Sequence, residues 1–197
     1  MHISGIRARA VLAAALVALL FGLAPGAAAQ DLVPVVGRPI AYRVSMPSVG
    51  WTVSTENDVL QVSREDAVIM VSATDLTTLQ PKPASISEAD YRKILTQRFM
   101  GSDSVMLALM SRVAANASSL EQDGRVEIGT LGGQRAARVQ DRRERNGVAR
   151  WHHSYITVKD AVLYMLAFDV PGETPEAHKD LFDRIHQSFV LAEAPPS

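Results

Sequence analysis

The stretch QRAARVQDRRERNGVARWHHSYITVKDAVLYMLAFD, residues 134–169, decides the fold. Residues 134–145 and 148–158 read as two extended runs around Asn146-Gly147. Asn-Gly is the strongest short hairpin signal, because the favoured two-residue turn needs φ > 0 at both positions. About that hinge, residues 142–145 lie across from residues 148–151. Lys159-Asp160 turns the chain once more, into residues 161–169, which are apolar in both alternating sets. A strand apolar on both faces is expected at the centre of a sheet, with packing on each side.

Working outward, residues 126–128 form a short extended piece, and Gly129 and Gly132-Gly133 punctuate it. Downstream, Thr174-Pro175-Glu176 supplies a cap, a proline at the first helical position and an acid in the first turn. Leu181, Phe182, Ile185 and Phe189 then make the buried stripe of a closing helix. Upstream, residues 40–45 alternate as a half-buried strand does, and Trp51-Thr52-Val53 begins another. Residues 59–63 and 67–73 flank Arg64-Glu65-Asp66 as a hairpin. Ser87 with Asp90 three positions later is a helix start, and Tyr91, Leu95 and Phe99 share one face of that helix. Gly101-Ser102-Asp103 interrupts it before a second run through Met106, Leu107, Leu109, Met110 and Val113.

The N-terminus has a different character. Arg7 and Arg9 precede an apolar run over residues 10–24, Pro25-Gly26 stops any helix, and Ala27-Ala28-Ala29 offers small residues for cleavage. That order predicts a secretory signal peptide over residues 1–29, cut between Ala29 and Gln30. The run of 15 residues is short of the roughly 20 that span a bilayer, so no stable membrane anchor is expected after cleavage. The expected location is the periplasm, or the exterior if the host has no outer membrane. The domain layout is then an extended leader over 30–37, one domain over 38–192 and a loose tail over 193–197. The sequence holds 20 basic and 21 acidic residues, and losing Arg7 and Arg9 with the signal would leave a formal charge of −3. That balance gives no reason to expect nucleic acid as a partner. The absence of cysteine excludes disulfides and a lipidated N-terminal cysteine.

Several pieces together resemble the Mog1/PsbP-like family. Tyr42-Arg43-Val44-Ser45-Met46-Pro47 followed by Gly50-Trp51 is similar to its opening strand, proline and Gly-Trp. Leu131-Gly132-Gly133-Gln134-Arg135-Ala136 before a long hairpin, Val162-Leu163-Tyr164-Met165-Leu166, and a closing helix ending Ile185-His186-Gln187-Ser188-Phe189 continue the likeness. The resemblance implies an α+β fold, an antiparallel β-sheet with helices packed on both faces in an α/β/α sandwich. It also implies a binding or assembly role more than an enzymatic one, since PsbP proteins retain ions at the oxygen-evolving centre and Mog1 binds a small GTPase. No residue set here transfers either role.

The chemistry-bearing residues concentrate in the hairpin. Arg135, Arg138, Arg142, Arg143, Arg145 and Arg150 are interleaved with Asp141 and Glu144, and Trp151, His152, His153 and Tyr155 follow. In a strand Trp151, His153 and Tyr155 share one face, and Arg150 and His152 the other. One reading is an exposed arm of guanidinium and aromatic groups, with Arg142, Arg145, Trp151 and His153 contacting an acidic partner or phosphate-bearing ligand. The other is a solvated ribbon whose arginines pair with acids across strands and deter aggregation. His152 and His153 point to opposite faces, and His178 and His186 lie two helical turns apart, so no metal is expected. Met100, Met106 and Met110 read as core filler. No nucleophile elbow, Ser-x-x-Lys pair or phosphate loop is present, and no cofactor is expected. The expectation is a non-catalytic binding protein with a protein partner in the cell envelope. A small-ligand carrier with a pocket between sheet and helices is the alternative, and a hydrolase with a dispersed site stands behind both.

Overall fold

The computed structural model describes residues 31–37, 42–56, 59–79, 81–108, 125–172 and 178–191, except for the side chains of residues 143–145. The expected signal peptide, the expected Thr174-Pro175-Glu176 cap, Leu109, Met110 and Val113, and the expected loose tail lie outside the described residues. Asp31–Ser197 forms one compact unit.

The hairpin at the heart of the sequence forms as its turn requires. Asn146 and Gly147 take φ of 56° and 75°, and they join β7 (Gln134–Arg145) to β8 (Val148–Lys159). The next turn falls on Asp160 and Ala161, with φ of 51° and 60°, one residue later than Lys159-Asp160. Two bonds hold Ala161 in this conformation: its N–H donates to Thr96 Oγ1 (2.8 Å), and its carbonyl accepts from Leu76 N–H (2.8 Å). The chain then enters β9 (Val162–Pro171).

Six other strands complete a seven-stranded sheet with β9 at its centre. They are β3 (Thr52–Glu56), β4 (Val59–Arg64), β5 (Ala67–Asp75) and β6 (Arg125–Leu131), together with the β7–β8 pair, in the order β3-β4-β5-β9-β8-β7-β6. Every neighbouring pair is antiparallel. The central place of the strand that is apolar on both sides follows from its pattern, because both of its faces are packed and none of its residues before Pro171 is exposed.

Both faces carry helices. On one face Tyr164, Leu166, Phe168 and Val170 pack with Leu181, Phe182 and Ile185 of the closing helix α2 (Lys179–Ser188). On the other, Val158 and Ala161 meet Tyr91 and Leu95 of α1 (Glu88–Met100), while Ala137 and Val139 meet Met106 from the helical residues 103–108. Met106 is therefore core, as its apolar neighbours imply. Ser87 caps α1 by accepting from Asp90 N–H (3.1 Å), and the helix ends at Gly101.

A second sheet departs from expectation. Leu32–Val36, read as a leader, is a strand (β1) paired antiparallel with β2 (Tyr42–Pro47), and β2 also pairs with the two-residue β10 (Val190–Leu191). Tyr42, Val44 and Met46 turn inward from this small sheet and join the cluster under α2. Tyr42 stacks on Phe189 with ring centroids 5.7 Å apart.

Candidate binding face

The pairing register divides the arginines of the hairpin between two faces. Arg142 lies across from Trp151, Gln140 from His153, and Arg138 from Tyr155, all on the side that α2 covers in part. β6 extends this face with Arg125 opposite Gln140 and Glu127 opposite Arg138. The alternate set, Asp141, His152 and Asp169, forms a row on the opposite side.

On the α2 side an aromatic row runs along β8. Trp151 is half-buried; its ring stacks on Phe182 (6.3 Å between centroids) and meets His153 edge-on (5.1 Å). His153 lies 4.6 Å from Tyr155, which stacks in turn on His186 of α2 at 4.1 Å. His153 is only 6% exposed and its Nε2 accepts from Arg138 Nε (3.0 Å). Burial, reinforced by the Arg138 charge, pushes its pKa down to about 3, so the ring is a neutral acceptor at any ordinary pH. Expected on an exposed arm, His153 is instead part of the floor. A large ring in the middle of a strand shadowed by a helix has no route to solvent.

Beyond the edge of α2 the face opens. Arg125 and Arg142 are exposed and Gln140 is half-buried. Two further cations of this face are neutralised, Arg138 by Glu127 (3.6 Å) and Lys179 by Asp183 (2.6 Å). Among the described residues, the side chains of Arg125 and Arg142 have no ion-pair or hydrogen-bond partner. Arg145 pairs with Val148 through the backbone, and its side chain lies outside the described residues.

The two readings of the hairpin therefore divide by residue. Arg135 is bound to Asp103 (2.7 Å) and Arg138 to Glu127, as a charge-paired ribbon requires. Arg150 is no ribbon residue: it is 7% exposed, and its guanidinium binds the Asp169 carboxylate and the Asp66 carbonyl. Burial acts to raise the Asp169 carboxyl, but the adjacent His152 and Arg150 prevail and hold it below the usual range. Of the expected contact residues whose side chains are described, Arg142 alone is both exposed and without a partner. Sequence reading missed Arg125 and Gln140. The alternation of β7 places Gln140 beside Arg142, but Arg125 reaches this face only through the register of β6.

A hollow of about 410 Å³ lies beside α1 and the β8–β9 turn, lined by Ala89, Arg92, Lys93, Thr96, Gln97 and Asp160. Its main cation, Arg92, is already bound to Asp75 (2.7 Å) and Glu88 (3.2 Å). It is not the pocket between sheet and helices that a carrier would use. No group of three His, Asp or Glu among the described residues is arranged to hold a metal ion, and no described helix is long and apolar enough to cross a membrane.

The chain is an α+β protein with an antiparallel sheet between helices, and among solved structures it is similar to PsbP-like proteins. A cyanobacterial PsbP from Synechocystis sp. PCC 6803 is 14% identical, with a TM-score of 0.49 over 88% of this chain and 99% of that one. A protein of unknown function and putative regulator from Pseudomonas aeruginosa is 11% identical (TM-score 0.42), covering 84% of this chain and 99% of that one. LpqN of Mycobacterium tuberculosis, involved in cell envelope biogenesis, is 14% identical (TM-score 0.40), covering 84% of this chain and 92% of that one. No family model and no curated protein matches the chain.

Proposed function

We propose that the chain is an exported, non-catalytic accessory protein that grips another protein of the cell envelope through the open face of β6, β7 and β8. The observation that carries this reading is the pair of exposed arginines, Arg125 and Arg142, without a partner among the described residues and on one face of the sheet. Exposed guanidinium groups at the edge of an aromatic floor suit recognition of carboxylates, because their planar forks match that geometry. Such a face holds its arginines apart by strand spacing and needs no rearrangement to bind. Export is supported by the order of charged, apolar and small residues over 1–29.

The test is crosslinking and co-purification from intact envelopes, comparing the native chain with Arg125→Glu/Arg142→Glu. Reproducible capture of one protein by the native chain, lost in the double variant at an unchanged thermal midpoint, is the expected outcome. Undiminished capture by the folded double variant removes this face from the function.

A further inference from the structure

We propose that the element recognised on this face is an extended acidic segment carrying carboxylates at alternate positions, one for Arg125 and one for Arg142. The proposal rests on reading the face as a protein-binding surface and deepens it by naming the segment's chemistry and spacing.

The spacing comes from the sheet. Arg125 is paired with Gln140, and Arg142 lies two residues further along the same strand. Diagonal neighbours of this kind stand roughly 7–8 Å apart. An extended chain rises about 3.4 Å per residue and points every second side chain the same way, so acids at i and i+2 fall about 7 Å apart. The two separations match without bending either partner. Adjacent acids do not match, because their side chains leave the segment on opposite sides.

The charges around the site select this pair. Arg138 and Lys179 are held by Glu127 and Asp183, whereas Arg125 and Arg142 have no such partner among the described residues and carry the positive charge offered to a ligand. Gln140 lies between them, and its amide offers both a donor and an acceptor to a backbone peptide group. Trp151, directly across from Arg142 and packed on Phe182, bounds the site on the α2 side. A short segment lying over Gln140 would have both of its carboxylates forked by guanidinium and the intervening peptide group met by the amide.

The experiment uses the Asp31–Ser197 unit and two fluorescently labelled nine-residue peptides of identical composition. One carries two aspartates separated by a threonine, the other two adjacent aspartates. Fluorescence anisotropy at low salt should give the alternating peptide at least a tenfold lower Kd, and Arg125→Gln or Arg142→Gln should each abolish that preference. Both substitutions are at exposed positions, and circular dichroism verifies the fold. Inorganic phosphate at constant ionic strength should leave the preference intact. Equal affinity for the two peptides, binding of neither, or a preference that survives both glutamine variants overturns the inference. Displacement by phosphate alone would assign the arginines to a single free oxyanion and also overturn it. Partner capture that still depends on Arg142, alongside equal peptide affinities, would sink the spacing and leave the protein-binding reading standing.

Discussion

His153 shows how one residue's surroundings decide its role. Across from Gln140, between Trp151 and Tyr155, it accepts from Arg138 and stays unprotonated. Its folded pKa of about 3 lies below the ordinary histidine value of 6.5. Between those limits the unfolded chain takes up a proton that the folded chain refuses. Stability contributed by the neutral ring is therefore fully present above pH 6.5 and declines on acidification, by up to about 1.4 kcal/mol per pH unit. Burial lowers His178 as well, so it acts with the same sign. Asp75 and Asp169, both depressed, add stability that is lost only lower, as pH falls below the usual carboxylate range. Thermal midpoints measured from pH 7 to pH 5 isolate the histidines. His153→Gln, which keeps an acceptor for Arg138, should flatten the decline in that window. An unchanged slope would mean that His153 titrates normally and is not the buried acceptor described.

At the scale of elements, the junction between α1 and the β8–β9 turn is a mutual constraint. Thr96 Oγ1 donates to Arg92 O (2.9 Å) and accepts from Ala161 N–H (2.8 Å), and Ala161 is fully buried with φ of 60°. Thr96→Val keeps the shape but leaves that N–H without its acceptor, which should cost about 1–3 kcal/mol in urea denaturation. A loss near zero would show that α1 does not clamp the turn. Elements of this local kind were legible in the sequence. Asn146-Gly147 set the register of β7 on β8, Ser87 marked the start of α1, and the unbroken apolarity of β9 placed it centrally. The small sheet was not legible. β1 carries Pro34 in mid-strand, which hides its pattern, and β10 reaches β2 only when the two ends of the domain come together; a two-residue strand leaves no periodic signal. The binding face was half legible for a related reason. The hairpin turn fixes which residues share a side with Arg142, but whether His153 sees solvent depends on where α2 lies across the sheet. Arg125 depends on a register set from outside the hairpin.

At the scale of the whole molecule, one sheet serves two cores, so neither layer of helix can leave alone without exposing apolar surface on the sheet. Leu166 belongs to the cluster under α2, and Leu95 to the one under α1 on the opposite face. The strands between them are shared: β8 sends Tyr155 one way and Val158 the other. The two tryptophans, Trp51 and Trp151, both report from the α2 side, the first within its cluster and the second packed against it. Leu95→Ala should cost about 2–5 kcal/mol, as removal of a buried leucine side chain does. If the two layers form one cooperative unit, tryptophan fluorescence will register that loss in full, although no tryptophan lies on the mutated side. The urea midpoint followed by fluorescence should move together with the midpoint followed by far-ultraviolet circular dichroism. Leu166→Ala should shift the same transition, and the double variant should lose close to the sum, because the two sites occupy different clusters on opposite faces. A fluorescence transition that stays in place while circular dichroism reports early loss of helix would separate the layers. α1 would then be an independently melting cover, and β9 would be central in position but not in energy.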